Sequence, residues 1–225
     1  PESHSKDAWM HGGGSTWVVG SYDPDLNVVY WGVGNPGPDW DNEYRPGDNL
    51  YSNSVLALDA DSGKIKWYFQ YTPNDPYDFD GVNEQTLVDA KVFGKKTKAV
   101  LHADRNGFAY ALDRESGKFL WGTPFVKKLD WTAGLDKYTG MPLDYDPNKD
   151  VQRYVPSTSA FRAQPEGTSC PGNMGGKNWP PTAYDPDRNM YYIPVIESCA
   201  MHMNVPQEKE WVAREWWLGG GPRMG

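Results

Sequence analysis

An eleven-residue cassette occurs twice in this chain almost unchanged. Ala57-Leu58-Asp59-Ala60-Asp61-Ser62-Gly63-Lys64-Ile65-Lys66-Trp67 returns as Ala111-Leu112-Asp113-Arg114-Glu115-Ser116-Gly117-Lys118-Phe119-Leu120-Trp121. Two weaker copies keep the frame: Ser21-Tyr22-Asp23-Pro24-Asp25-Leu26-Asn27 closing at Trp31, and Ala183-Tyr184-Asp185-Pro186-Asp187-Arg188-Asn189 closing at Ile193. In the weaker copies Asn stands where the stronger ones have Gly. These two residues best tolerate a left-handed backbone, so the position is expected to be a tight turn of positive φ between strands. The leading Asp is expected to accept hydrogen bonds from turn amides, and the closing Trp to dock on a neighbouring blade. The copies begin at residues 21, 57, 111 and 183. Self-similarity on this scale means a propeller or a solenoid. The uneven spacing predicts one hairpin per blade, with insertions of varying length between hairpins.

Composition agrees with an all-β chain. Among 225 residues there are 11 Trp and 14 Tyr, with 24 Gly and 19 Pro. Aromatic rings fill the gaps between packed sheets, and Gly and Pro supply turns. Alternation supports strands rather than helices: Val55, Ala57 and Asp59 face one way, Leu56 and Leu58 the other, and Ile65, Trp67 and Phe69 share a face. Four successive strands are expected at Val88–Ala90, Ala99–Asp104, Phe108–Asp113 and Lys118–Phe125, as a four-stranded blade needs. A last hairpin is expected at about 183–196, and 127–182 reads as mostly irregular. No apolar run approaches the roughly 20 residues of a membrane span.

A net charge of −8 argues against nucleic acid, which needs basic patches. Cys170 and Cys199 form no CxxC pair; a disulfide between them is compatible with the spacing but not fixed by it. His4, His11, His102 and His202 show no ligand-like spacing. Asp59–Gly63 faintly resembles a calcium loop, but the twelfth position is Gln70 rather than a bidentate Glu. The start at Pro1 and the Gly-rich stretch Gly219–Gly225 lead us to expect that residues 1–225 are part of a longer propeller.

Chemistry is expected in the irregular segments. Asp75, Asp78, Asp80 and Glu84 crowd one loop, for which the plain reading is a solvated acidic loop. Asp78-x-Asp80 would put two carboxylates on one side of an extended segment. With an amide oxygen such as Asn35, they would make an all-oxygen site for a hard cation. A carboxylate beside such a cation serves as a general base. Arg105, in a plain type I turn at Asp104-Arg105-Asn106-Gly107, would stabilise negative charge on oxygen.

These segments, in order, resemble the pyrroloquinoline quinone-dependent methanol/ethanol dehydrogenase family. The resemblance is carried by Thr16-Trp17, Ser21–Pro24, Gly34-Asn35-Pro36, Arg45–Tyr51, Thr72–Asp75, Tyr77–Asp80, Asp104–Gly107 and the run Gly175–Pro181. It implies part of an eight-bladed β-propeller of four-stranded antiparallel blades. It implies that Trp17 is the floor on which the quinone stacks and that Ser15 contacts the cofactor. Asn178 and Trp179 would touch it from a later blade. Asn35, Asp78 and Asp80 would ligate the metal, Asp78 would be the catalytic base, and Arg105 would hydrogen-bond the reactive carbonyl. Calcium-using members carry a small neutral residue where this chain has Asp80, and lanthanide-using members carry Asp. A lanthanide(III) ion is therefore expected, with calcium as the alternative. A metal-binding Glu and a pair of adjacent cysteines that the family supplies from an earlier region are not identifiable, and the tail from Glu208 departs from the pattern.

The implied activity is oxidation of a primary alcohol to an aldehyde in the periplasm, with a cytochrome c as electron acceptor. The full-length protein is expected to form a homodimer, and the isolated fragment to be inactive. The competing reading is a non-catalytic propeller of the outer-membrane assembly type. Such scaffolds keep the cassettes but lack Trp17, Asn35, Asp78 and Arg105 in this arrangement.

Overall fold

The computed structural model describes residues 8–206 and 211–223; His4 and Glu208 lie outside them. Thirteen strands are described, and the elements beyond them are turns and one 3-10 turn at Ala8–Met10. The first sheet has the order β1(Ser21–Asp23), β2(Val28–Val33), β3(Ser54–Asp59), β4(Ile65–Gln70). The second runs β5(Thr86–Val92), β6(Lys95–Ala103), β7(Phe108–Asp113), β8(Phe119–Pro124). Both are antiparallel between sequence neighbours. Two smaller sheets follow: the hairpin β10(Ala183–Asp185)–β11(Met190–Tyr192), and a three-stranded sheet of order β13(Gly220–Arg223), β12(Ala200–Asn204), β9(Glu166–Ser169).

The four expected strands match β5–β8, but the expectation of one hairpin per blade is corrected. The first sheet contains two cassettes, one joining β1 to β2 and the other β3 to β4. The weaker copies build the first hairpin of a sheet and the stronger ones the second. In the second sheet the first hairpin uses Phe93-Gly94 instead, at φ 48 and 80, a two-residue turn with left-handed backbone at both positions.

The turn chemistry is as the sequence implies. Asn27, Gly63, Gly117 and Asn189 have φ of 51, 68, 73 and 54. Asp59 accepts the Ser62 N–H at 2.9 Å and Asp113 the Ser116 N–H at 2.8 Å. In the weaker copies Asp23 accepts from Asp25 and Leu26, and Asp185 from Asp187 and Arg188. The Tyr of each weaker copy donates its hydroxyl to the turn Asn, Tyr22 to Asn27 and Tyr184 to Asn189. A further turn of the stronger kind lies in the segment expected to be irregular. Asp136 accepts from the Thr139 N–H at 2.8 Å, and Gly140 has φ 73.

Packing is layered, as in a stack of blades. Val28, Tyr30, Val55, Ala57 and Phe69 of the first sheet share one core with Val100, Phe108, Tyr110, Leu112 and Phe119 of the second. The opposite face of the second sheet, through Val88, Ala90, Ala99, Leu101 and Ala111, packs on Tyr184 and Tyr191 of the β10–β11 hairpin. Covered on both faces, β7 is buried at every position from Phe108 to Leu112. The closing Trp67 does dock on the next sheet: a Cβ on Gly117, in the β7–β8 turn, would fall 2.5 Å from its ring. A disulfide joins Cys170 to Cys199.

Antiparallel order sorts the connections. The cassette turns lie at one end of the two large sheets. The loops β2–β3, β4–β5 and β6–β7 gather at the other end.

Candidate active site

Each of those three gathered loops contributes to one cluster. Loop β2–β3 brings Asn35, loop β4–β5 brings Asp78 and Asp80, and turn β6–β7 brings Arg105. Asp80 is a bridge among them. Its Oδ1 accepts the Asn35 backbone N–H at 2.7 Å, and its Oδ2 accepts from Nη1 of Arg105. The Asp78 Oδ2 lies 3.6 Å from Nη2 of Arg105, and that Nη2 also donates to the Asn173 carbonyl. Arg105 sits in a tight turn at the position read from the sequence, closed by Gly107 N–H to the Asp104 carbonyl at 3.1 Å.

Two readings of the acidic loop are corrected. It is not a solvated loop: Asp75 and Asp80 are buried, at 0% and 4% exposure, and Glu84 is drawn inward by Lys177 at 2.9 Å and by Thr182. Nor is Asp78-Phe79-Asp80 extended, because Asp78 and Asp80 both adopt left-handed backbone at φ 63 and 46. Asp75 explains that shape. Its carboxylate accepts the N–H of Tyr77 at 2.8 Å and of Phe79 at 2.7 Å, folding the chain back on itself. Tyr77 and Phe79 then point into the core against Trp131, which leaves the alternate residues, Asp78 and Asp80, aimed at Arg105.

Gly34 makes the approach of Asp80 feasible. A Cβ there would land on Asp80 Oδ1 and 2.9 Å from the Ser15 carbonyl oxygen. That carbonyl accepts the Gly34 N–H at 2.8 Å, and Gly14 N–H donates to the Asn35 carbonyl at 2.7 Å. The strip carrying Ser15 and Trp17 is thereby laid alongside the loop that carries Asn35. Trp17 itself is 46% exposed. On the far side, the segment 172–178 wraps Arg105. Gly176 N–H donates to the Arg105 carbonyl at 2.9 Å, and a Cβ on Gly175 would meet the Arg105 side chain at 2.6 Å. Asn178 is buried and donates to the Met174 carbonyl at 3.0 Å, while Trp179 is 67% exposed. The structure thus brings Asn35, Asp78, Asp80 and Arg105 together and places Ser15 and Asn178 on the adjoining strips. For Trp17 and Trp179 it gives position and exposure.

The cluster is poor in positive charge. Burial pushes the Asp78 carboxyl well above the usual carboxylate range; Arg105 pulls it part of the way back, while Asp80, Asp39 and Asp75 push it further. Burial likewise raises Asp39 to about 7, opposed by Arg45 and reinforced by Asp80. Buried carboxylates held in mutual repulsion favour a cation among them. Among the described residues no three His, Cys, Asp or Glu side chains form a metal-holding group by themselves. The donor set here mixes two carboxylates with an amide, and the Arg105 guanidinium bridges both acids in the place of positive charge. Donors that are all oxygen fit a hard cation. Arg105 Nε is buried with no hydrogen-bond partner among the described residues, an unspent donor suited to a quinone oxygen. The residues fit both groups. Sequence reasoning singles out the run from Asn173 to Pro181 but not the Asn173 carbonyl as a partner of Arg105, and it passes over Asp39, which carries no motif.

Sheets stacked in this way, with oxygen donors and an arginine gathered from successive inter-strand loops, define a quinoprotein propeller. Residues 1–127 match the family described as the glucose/ethanol/alcohol dehydrogenase β-propeller domain, PQQ, and the chain belongs to it. The chain is 47% identical over 194 residues to the quinoprotein alcohol dehydrogenase PedH of Pseudomonas putida, covering 85% of this chain and 31% of that protein. It is 39% identical over 200 residues to the lanthanide-dependent methanol dehydrogenase of Methylacidiphilum fumariolicum, covering 88% and 31%. The solved structure of a europium-containing methanol dehydrogenase superposes with a TM-score of 0.85 at 37% identity, over 96% of this chain and 35% of that one. The chain spans about a third of the length of these relatives.

Proposed function

We propose that the protein of which this chain forms part of the propeller oxidises a small primary alcohol to its aldehyde, using pyrroloquinoline quinone and a lanthanide(III) ion. The observation that carries the reading is the convergence of Asn35, Asp78, Asp80 and Arg105 from three separate loops. Asn35, Asp78 and Asp80 would hold the cation through oxygen, and Trp17, Ser15, Arg105, Asn178 and Trp179 would hold the quinone. When bound, the quinone supplies a two-electron oxidant and the cation a Lewis acid that polarises it.

The chain's own residues do the rest. Asp78 accepts the hydroxyl proton of the alcohol. A carboxyl raised by burial is a stronger base than an exposed one, closer to the working pH. Arg105, pinned by Asp80 and the Asn173 carbonyl, keeps that carboxylate oriented and offers its remaining donor to an oxygen that gains negative charge. Asp80 adds an anionic ligand, which a trivalent ion accepts more readily than a divalent one. The PedH and methanol dehydrogenase similarities support the alcohol class and the lanthanide. The family resemblance is the ground for a cytochrome c acceptor, for a homodimer and for inactivity of the isolated fragment. The Cys170–Cys199 disulfide supports an oxidising compartment such as the periplasm. No helix among the described residues is long and apolar enough to cross a membrane.

Full-length protein reconstituted with quinone and either lanthanum or calcium tests the proposal by dye-linked alcohol oxidation. Lanthanum is expected to support turnover, and Asp80→Ala to abolish that support while quinone binding persists. Turnover with calcium and no gain with lanthanum overturns the metal assignment.

A further inference from the structure

Lys177 is a charged side chain with no exposure to solvent, and the alcohol chemistry described above makes no use of it. Its Nζ donates to Glu84 Oε2 at 2.9 Å and to the Asn178 carbonyl at 2.9 Å. Glu84 stands just ahead of β5, and its other oxygen, Oε1, accepts the Thr182 N–H and hydroxyl, both at 2.6 Å. One carboxylate therefore grips the segment 177–182 at both ends. The stretch before it is tied to the arginine turn: Gly176 N–H donates to the Arg105 carbonyl at 2.9 Å, and Arg105 Nη2 to the Asn173 carbonyl. The root of Glu84 is fixed as well. Its neighbour Gln85 donates from Nε2 to His102 Nδ1 at 3.0 Å, which leaves the His102 Nε2–H to donate to Asp104 Oδ2 at 2.9 Å. A buried polar chain thus runs from Asp104, next to Arg105, through His102, Gln85 and Glu84 to Lys177 and Asn178. Asn178 passes the constraint on, because its Oδ1 accepts the Trp179 N–H at 2.9 Å.

We propose that Lys177 is a positioning residue of the quinone site. By closing the Asn178 backbone onto Glu84, it sets where Asn178 and Trp179 stand relative to Arg105. This rests on the quinone contacts proposed above. Enclosing an ammonium group carries a desolvation penalty that a single ion pair hardly recovers, so an apolar side chain of that length would serve stability as well. An apolar side chain could not donate to a carboxylate and a backbone carbonyl at once, and that double contact is what ties the two segments at one point. The role needs no contact between Lys177 and the quinone.

The test uses the full-length protein with La3+ and titrates pyrroloquinoline quinone, followed by quenching of tryptophan fluorescence. Lys177→Met keeps the reach of the side chain and loses both donated bonds. It is expected to lower the melting temperature of the quinone-free protein and to weaken quinone binding at least about tenfold, the equivalent of one hydrogen bond to the quinone. The double variant Lys177→Met/Glu84→Gln removes both charges, and the Gln carbonyl oxygen still serves Thr182. Its melting temperature is expected to return to near that of the parent, because no charge is left buried without a partner, while the weakened quinone binding persists. An ion pair with only a structural role would restore both together. The double variant carries the test alone if Lys177→Met does not fold. The inference is overturned if the double variant binds quinone within twofold of the parent. If Asn178→Ala also binds as tightly as the parent, the quinone contacts themselves are misassigned and the role of Lys177 goes with them.

Discussion

At the scale of single residues, the site depends on small differences in what each position can accommodate. Gly34 carries no special φ; it is glycine because Asp80 occupies the space a Cβ would take. Gly34→Ala is therefore expected to displace the Asp80 carboxylate and lower La3+ affinity at least about tenfold, at a stability cost of about 1–3 kcal/mol. Metal titration alongside urea denaturation separates the two effects, and unchanged affinity would contradict the placement of Asp80. Asp78 is expected to show a trade between function and stability. Its carboxyl is raised by burial above its unfolded value. Between those two values the folded state holds the extra proton, so this group's contribution to stability falls as pH rises. Asp78→Asn removes that cost. It is expected to raise the melting temperature of the quinone-free and metal-free protein at neutral pH, and to reduce alcohol oxidation by about 10²–10⁴-fold as lost base catalysis. The sequence showed Asp78 and Asp80 as a pair. It did not show Asp80 buried against a cation, because a count of acids in one loop is blind to an arginine 25 residues further on.

At the scale of elements, the cassettes were read correctly as turns and misassigned as blades. Positive φ at Asn27, Gly63, Gly117 and Asn189 follows from residue type alone. The number of hairpins per sheet does not, since a blade can close one of its hairpins with an unrelated turn such as Phe93-Gly94. The Asp136–Gly140 turn was missed because no aromatic closes it and its pairing is reduced to the single bridge Leu135–Pro142. Two glycines in the same turn position are expected to respond differently to substitution. A Cβ added at Gly63 would meet nothing within 4 Å, whereas one at Gly117 would meet the Trp67 ring. Gly63→Ala is expected to cost about 1 kcal/mol from φ alone, and Gly117→Ala about 2–4 kcal/mol because a ring must also move. Equal costs in urea denaturation would contradict the docking of Trp67. The β9–β12–β13 sheet carries a pH response. His202 is buried, its Nε2 lies 2.7 Å from Ser169 Oγ, and burial lowers its pKa to about 4. The unfolded chain, with an ordinary value near 6.5, binds the proton first, so stability falls as pH drops through the window from about 6.5 to about 4. Between pH 7 and 5 the loss is expected to be about 2 kcal/mol. His202→Leu is expected to flatten that part of the pH dependence, which denaturation series at both pH values would measure.

At the scale of the molecule, the fold separates scaffold from chemistry. Repeated turns occupy one end of the stacked sheets, and the irregular loops, free to vary in length, meet at the other. The all-β, bladed character was legible because periodic turns and alternation are local properties. The assembly of the site was legible only through its likeness to a known family, since Asn35, Asp78 and Arg105 are far apart in sequence and meet by sheet stacking. The central claim is that the side-chain oxygens of Asn35, Asp78 and Asp80 surround one hard cation, with Arg105 beside them. An anomalous difference map from crystals of the full-length protein loaded with quinone and lanthanum tests it directly. The expected result is one strong peak within about 2.3–2.8 Å of oxygens from Asn35, Asp78 and Asp80. A lanthanum ion bound without Asp78 and Asp80, or no peak between these loops at saturating lanthanum, would contradict it.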